Sequence, residues 1–416
     1  MTLPNGTARE PIVVTGVGAV TPVGNDAEST WSALLAGRCG IDRVRSFDPT
    51  PYRSDRGAEV KDFDPAPYFT RLDPRDVGRA SQLAVAAARM ALDDAGGVGA
   101  VRPGEASRAG VVMGTTSGEP LEVERFNDAM LDERLDRSGQ RIVTRYPSHA
   151  ISATIAAEMG FAGGNTMIPA ACAAGNYAIA HAFDQLRIGR AEVMLAGGAD
   201  AFSRITYAGF ARLGAIATTL CRPFDQTREG MVPGEGAAVV VLETLSRARA
   251  RGAHIYAEIA GCGLSCDAHH MTAAHPEGRG AAEAMTMALT QAAVRPEDVS
   301  YVSAHGTGTP TNDRLETIAL HRVFGSDVVR RTPVSSIKSM IGHTMGAASA
   351  IEAVICALAV TRDRVPPTIH FETPDPDCAL DCVPNQARAL PVQVAMSNAY
   401  AFGGNNASVL FRTVEM

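Results

Sequence analysis

Lysine is almost missing from this chain. Of its 38 basic side chains only Lys61 and Lys338 are lysines, and arginine supplies the rest. Arginine can stand wherever positive charge alone is needed, so a lysine that survives such a bias is a candidate for work a guanidinium cannot do. Lys338 is marked on that ground. The opening residues lack a basic segment followed by an apolar one, and no run of roughly 18 apolar residues stands out. Neither a secretory leader nor a membrane partner is therefore expected. The net charge of −7 gives no reason to expect nucleic-acid binding. Eight cysteines scattered through 416 residues do not make a disulfide scaffold. A reducing cytoplasm is the expected compartment. The close Cys spacing of zinc ribbons is missing too. Cys262-x3-Cys266 with His269 and His270, and Cys378-x3-Cys382, come nearest to it, and no metal is expected.

What is present is an ordinary soluble globular composition, 46% apolar and 20% charged, with length enough for two or three domains' worth of core. Apolar runs alternate with helical periodicity. Strands are expected at 11–14, 108–114, 165–168, 192–196 and 237–242, with helices over 79–95, 121–135 and 151–159, and an Ala-rich helical run that continues to about 187. Residues 1–10 read as a loose start, and 40–78 and 200–236 as loop-rich. The basic stretch 245–251 reads as a seam. Beyond it strand and helix alternate again, ending in a hairpin around Gly403-Gly404-Asn405-Asn406. The expected architecture is an α/β fold of two similar halves, 1–253 and 254–416, each a mostly parallel sheet covered by helices. Thr15-Gly16-Val17-Gly18 invites a dinucleotide-binding reading. Its third glycine is missing and Pro22 interrupts, so a tight turn is expected instead. Gly197-Gly198-Ala199-Asp200 is likewise read as a turn.

Strand-end turns are where open α/β sheets bind ligands, and three of them carry reactive groups. Cys172 stands between a strand and an Ala-rich helix, where a helix N-terminus favours a thiolate. His305 lies in Ser303-Ala304-His305-Gly306-Thr307-Gly308-Thr309-Pro310, and Lys338 and His343 lie in Ile337-Lys338-Ser339-Met340-Ile341-Gly342-His343. A cysteine with histidines is a nucleophile with its acid/base or hydrogen-bonding partners. Backbone N–H groups of Ala401-Phe402-Gly403-Gly404 are available to an oxyanion.

These motifs, together with Gly234-Glu235-Gly236, resemble the β-ketoacyl-acyl-carrier-protein synthases. The nearest types are the elongating synthase II and the ketosynthase-α of dissociated polyketide systems. The likeness runs in order over residues 11–412. It implies the thiolase fold in five layers, and a homodimer or a heterodimer with a chain-length-factor-like subunit. It implies acyl carrier protein as partner and no cofactor. Cys172 would take the acyl chain, and His305 and His343 would stabilise the enolate of malonyl-carrier protein. Lys338 would order the histidines, paired with Glu352 and supported by Thr307 and Thr309. The N–H groups of Cys172 and Phe402, with Gly403, would form the oxyanion site and gate. Glu119, Met231 and Tyr400 fall at acyl-pocket positions, and Arg75, Arg222 and Thr272 at carrier-docking positions. The chain departs from the pattern at Tyr400-Ala401 and Asn405. It also departs at Leu72 and Asp76, where lysines are common. A non-catalytic partner subunit and a Cys-His thioesterase or acyltransferase are the competing readings.

Overall fold

The computed structural model describes residues 10–102, 104–132 and 140–414. The loose start expected at 1–10 and the end of the 121–135 helix fall largely outside them. Two five-stranded sets of strands meet edge to edge. Asn165–Ile168, Ala109–Gly114, Val193–Asp200, Gly236–Thr244 and Ile12–Val20 lie side by side in that order. Ala257–Cys266, Asn405–Arg412, Val394–Tyr400, Tyr301–Ser303 and Val334–Ser335 follow. The sets join where Ile12 pairs antiparallel with Ile259. Within the first set Ile12–Val20 pairs antiparallel with Gly236–Thr244, which pairs antiparallel with Val193–Asp200. Two parallel pairings complete it. The second set repeats this sequence of two antiparallel and two parallel pairings, starting from Ala257–Cys266.

Helices cover both faces of both sets. Arg79–Asp94 packs on the outer face of the first, and Arg279–Ala292 on the outer face of the second. Ala174–Arg187 and Ala348–Arg362 fill the space between. This is the expected five-layer α/β/α/β/α arrangement. The helical stretch Met345–Arg362 is long and apolar enough to cross a membrane, but 89% of it is buried inside the protein. Its hydrophobicity is that of a core helix covered on all sides.

Two expected turns are strand interiors. Thr15-Gly16-Val17-Gly18 belongs to Ile12–Val20, and Gly197-Gly198 to Val193–Asp200. The glycines are there for closeness. A Cβ on Gly16 or Gly18 would lie 2.1 or 2.0 Å from the carbonyl oxygens of Ala91 and Ala87, so the helix rests directly on the strand. The second set uses the same device: Cβ atoms on Gly261 and Gly263 would lie 2.4 and 1.9 Å from the oxygens of Ala288 and Ala284. The loop-rich reading of 200–236 missed the helix Arg204–Arg212, which is opened by Ser203 accepting the Thr206 N–H.

Candidate active site

Cys172 follows the strand Asn165–Ile168 on a bend where Ala171 has φ of +47°. A single 3-10 turn, Ala171–Ala173, leads into Ala174–Arg187. Only small residues fit here. A Cβ on Gly175 would stand 2.5 Å from the Ala350 backbone nitrogen, so the two central helices touch just behind the cysteine. Cys172 is 8% exposed. Burial pushes its thiol up to about 12; Lys338 pulls it down, and the carboxylates of Asp200 and Glu352 push it further up. This corrects the expectation of a resting thiolate. Desolvation outweighs the helix terminus, so the free protein holds a thiol.

The two histidines arrive from the other strand set. His305 follows Tyr301–Ser303, and His343 follows Lys338–Ile341. Sγ of Cys172 and one ring nitrogen of each histidine lie within 4.8 Å of one another. The imidazole rings stand edge to face, 5.5 Å apart. Glu316 holds the His305 loop by accepting the N–H groups of His305 and Gly306 at 2.8 and 2.7 Å. The Met345 N–H donates to His343 Nδ1 at 3.1 Å. That bond places the proton of a neutral His343 on Nε2, making it a donor. Burial first, then the Lys338 charge, holds both imidazoles well below their usual pKa, so both are neutral.

Lys338 is wholly buried. Its Nζ donates to the main-chain oxygen of His305 at 2.6 Å and to Glu352. Burial raises Glu352 to about 7 against the pull of Lys338. The lysine thus grips the backbone of the His305 loop rather than either ring. Three donors so close would suit one metal ion by distance.

Cys172, His305 and His343 share a cleft of about 350 Å³ with Met231, Thr307, Thr309, Thr272, Tyr400 and Phe402. Thr307 and Thr309 bond to each other at 2.8 Å, and Thr309 caps the helix Pro310–Phe324. Tyr400 lies edge-on to His305 at 5.9 Å. Phe402 is 41% exposed and leans on Phe210, whose ring lies 5.9 Å away. The Cys172 and Phe402 N–H groups lie in the 3-10 turns Ala171–Ala173 and Phe402–Gly404. The Gly403 N–H bonds to the Met271 oxygen at 2.8 Å, which removes Gly403 from the oxyanion site.

One further assignment needs correction. Glu119 does not line this cleft. It is buried at the start of the helix Arg79–Asp94, accepting the N–H groups of Ala80 and Ser81 and the Ser81 hydroxyl. That helix begins at Gly78, which has no side chain to cap it, so the carboxylate serves instead. Arg75 is outside the cleft and held by Asp73 at 2.6 Å, and Arg222 pairs with Glu372 at 3.1 Å. Sequence reasoning missed Glu316, Phe210 and Asp200. Asp200 accepts from Thr115, Thr116 and Ser117 of one strand set and from Gly346 of the other. A lone acid or aromatic carries no local mark of such contacts; only Gly198-Ala199-Asp200 at a strand end hinted at one.

Fold and site together define a thiolase-fold protein with one cysteine and two histidines converging in a cleft. The sequence matches the family "Beta-ketoacyl synthase, N-terminal domain" over residues 9–248 and "Beta-ketoacyl synthase, C-terminal domain" over 256–372. The chain belongs to the β-ketoacyl synthase family. It is 40% identical to the 3-oxoacyl-[acyl-carrier-protein] synthase 2 of Synechocystis sp., over 97% of this chain and 98% of that one. Its structure resembles "The ishigamide ketosynthase/chain length factor" with a TM-score of 0.93 and 40% identity, covering 98% of this chain and all of the other. A type II PKS ketosynthase solved with its acyl-carrier protein and a hexaketide gives 0.89 and 30% identity, at the same coverage.

Proposed function

We propose that the chain is a chain-elongating β-ketoacyl synthase that condenses malonyl-carrier protein with an acyl group held on Cys172. The observation that carries this is the convergence of Cys172, His305 and His343 within 4.8 Å. In the first step Sγ forms a bond to the acyl carbon of a carrier thioester. The bond to the carrier's sulfur breaks, and the thiol proton leaves with that sulfur. In the second, the carboxylate of the malonyl group departs as carbon dioxide and its electron pair remains as a thioester enolate. Nε2–H of His343 is already placed as a donor for the enolate oxygen, and the neutral His305 lies beside it. In the third, the enolate carbon attacks the acyl carbon and the bond to Sγ breaks. Cys172 takes up a proton, and a 3-oxoacyl chain leaves on the carrier. The N–H groups of Cys172 and Phe402 are the natural donors to the oxyanions of the first and third steps. Lys338 and Glu316 are positioning residues that hold the His305 loop.

The partners in this reading are acyl carrier proteins and a second protomer, identical or chain-length-factor-like. The repeated strand pairing supports a division into halves 1–253 and 254–416, with nucleophile and histidines on opposite halves. All eight cysteines are free, which agrees with a cytoplasmic location. The test is mass spectrometry of the protein incubated with acyl-carrier protein. An acyl adduct on Cys172 is expected. Cys172→Ala should lower condensation by about 10⁴-fold or more, while Cys172→Gln keeps malonyl decarboxylation. Full condensation by Cys172→Ala, or free acid released without a malonyl donor, would end the reading.

A further inference from the structure

The two imidazoles are oriented by unlike means. The Met345 N–H donates to Nδ1 of His343 at 3.1 Å, which settles that ring's proton on Nε2. Nδ1 of His305 is buried and has no hydrogen-bond partner among the described residues. The His305 loop is held through its main chain: Glu316 accepts the N–H groups of His305 and Gly306, and Lys338 donates to the His305 carbonyl. None of these bonds chooses which ring nitrogen carries the proton. The reaction needs that choice made, because a donor has to face the enolate oxygen as its charge develops.

A second buried group lies beside it without a partner. The hydroxyl of Tyr400, at the end of the strand Val394–Tyr400, makes no hydrogen bond among the described residues, and the side chain is buried. Its ring meets the His305 ring at 70°, with centroids 5.9 Å apart. At that separation a hydroxyl and a ring nitrogen are within reach of a hydrogen bond, made directly or through one water. Leaving either atom unpaired costs free energy, and one bond between them removes both costs. The direction of the bond follows from protonation. Burial, and then the Glu316 carboxylate, holds the Tyr400 phenol well above its ordinary pKa, so it keeps its proton and donates. Burial, and then the Lys338 charge, keeps His305 neutral, so one of its nitrogens accepts. Tyr400 is also a position at which the chain departs from the family pattern.

We propose that Tyr400 is a positioning residue: its hydroxyl donates to Nδ1 of His305, fixes that ring's proton on Nε2, and so gives the enolate a second imidazole donor. The inference rests on the condensing-enzyme reading above. The test is Tyr400→Phe, which keeps the ring and its packing and removes one oxygen. Nitrogen NMR of histidine-labelled protein reads the tautomer, with the His305 signals assigned by their loss in His305→Asn. The unaltered protein should show a protonated Nε2 and a bare Nδ1 at His305, and Tyr400→Phe should populate the Nδ1–H form. In a Cys172→Gln background, Tyr400→Phe should lower kcat for malonyl decarboxylation about tenfold and leave KM within about twofold, since the hydroxyl acts on the enolate and not on binding. A protonated Nδ1 in the unaltered protein would overturn the proposal. So would an unchanged tautomer and decarboxylation rate in Tyr400→Phe, the outcome if the hydroxyl bonds to Glu316 instead. An unaltered protein that takes no acyl group on Cys172 and releases no carbon dioxide from malonyl-carrier protein would remove the condensing reading, while the His305 tautomer still reports on Tyr400.

Discussion

The two strand sets share a backbone plan and differ in what stands at its turns. In each, a 3-10 turn that opens on a residue with positive φ, Ala171 at +47° and Met345 at +55°, leads into a central helix. The second residue of that turn is Cys172 in one set and Gly346 in the other. A Cβ on Gly346 would stand 2.6 Å from the Thr115 backbone, so no side chain fits at the place matching the nucleophile. The second set uses the approach to its turn instead, for Lys338 and His343. One scaffold thus presents a sulfur from one side and imidazoles from the other. The active centre exists only where the two meet.

Substitutions can probe how alike the sets are. Gly18→Ala and Gly263→Ala each drive a methyl against a helix backbone oxygen, at 2.0 and 1.9 Å. Each should destabilise the protein by about 3 kcal/mol or more. Chemical denaturation that gave unequal losses would break the packing equivalence. Lys338→Arg keeps the charge but not the fit of a point donor between His305 and Glu352. Condensation should fall about 100-fold, roughly 2.7 kcal/mol, and normal turnover would show that the rarity of lysine was coincidence. Glu119 caps a helix whose counterpart, Arg279–Ala292, starts at Gly278 with no side-chain cap. Burial raises its carboxyl to about 7. An acid raised in the folded state binds more protons there than in the unfolded chain. Its contribution is therefore full below about pH 4.5 and lost as pH rises through about 7. Glu119→Gln should remove roughly 2–3 kcal/mol of that decline, read as a flatter urea midpoint between pH 5 and 8. The smallest effect is expected from Lys61→Arg. Lys61 is exposed and only loosely paired with Asp42 at 3.6 Å, so stability should move by less than about 0.5 kcal/mol and activity not at all.

The reading of the sequence worked where a residue's duty was local. The strand–turn–helix around Cys172 and the glycine-rich strand end around His305 are both written in neighbouring residues. It failed where duty depended on a distant backbone. Gly16, Gly18, Gly197 and Gly198 look like turns because nothing nearby shows which chain presses on them. Glu119 looks like pocket lining because the bare helix start it caps lies about forty residues away.

By itself the sequence determined the repeated α/β order and the reactive residue types at strand ends. Periodicity, turn chemistry and side-chain identity are properties of short segments. Only the tertiary structure decided that Cys172 rests as a thiol, that His343 is a donor at Nε2, and that Lys338 grips a main-chain oxygen. Protonation and hydrogen-bond direction are set by burial and by partners from the far side of the molecule, and no stretch of chain carries those on its own.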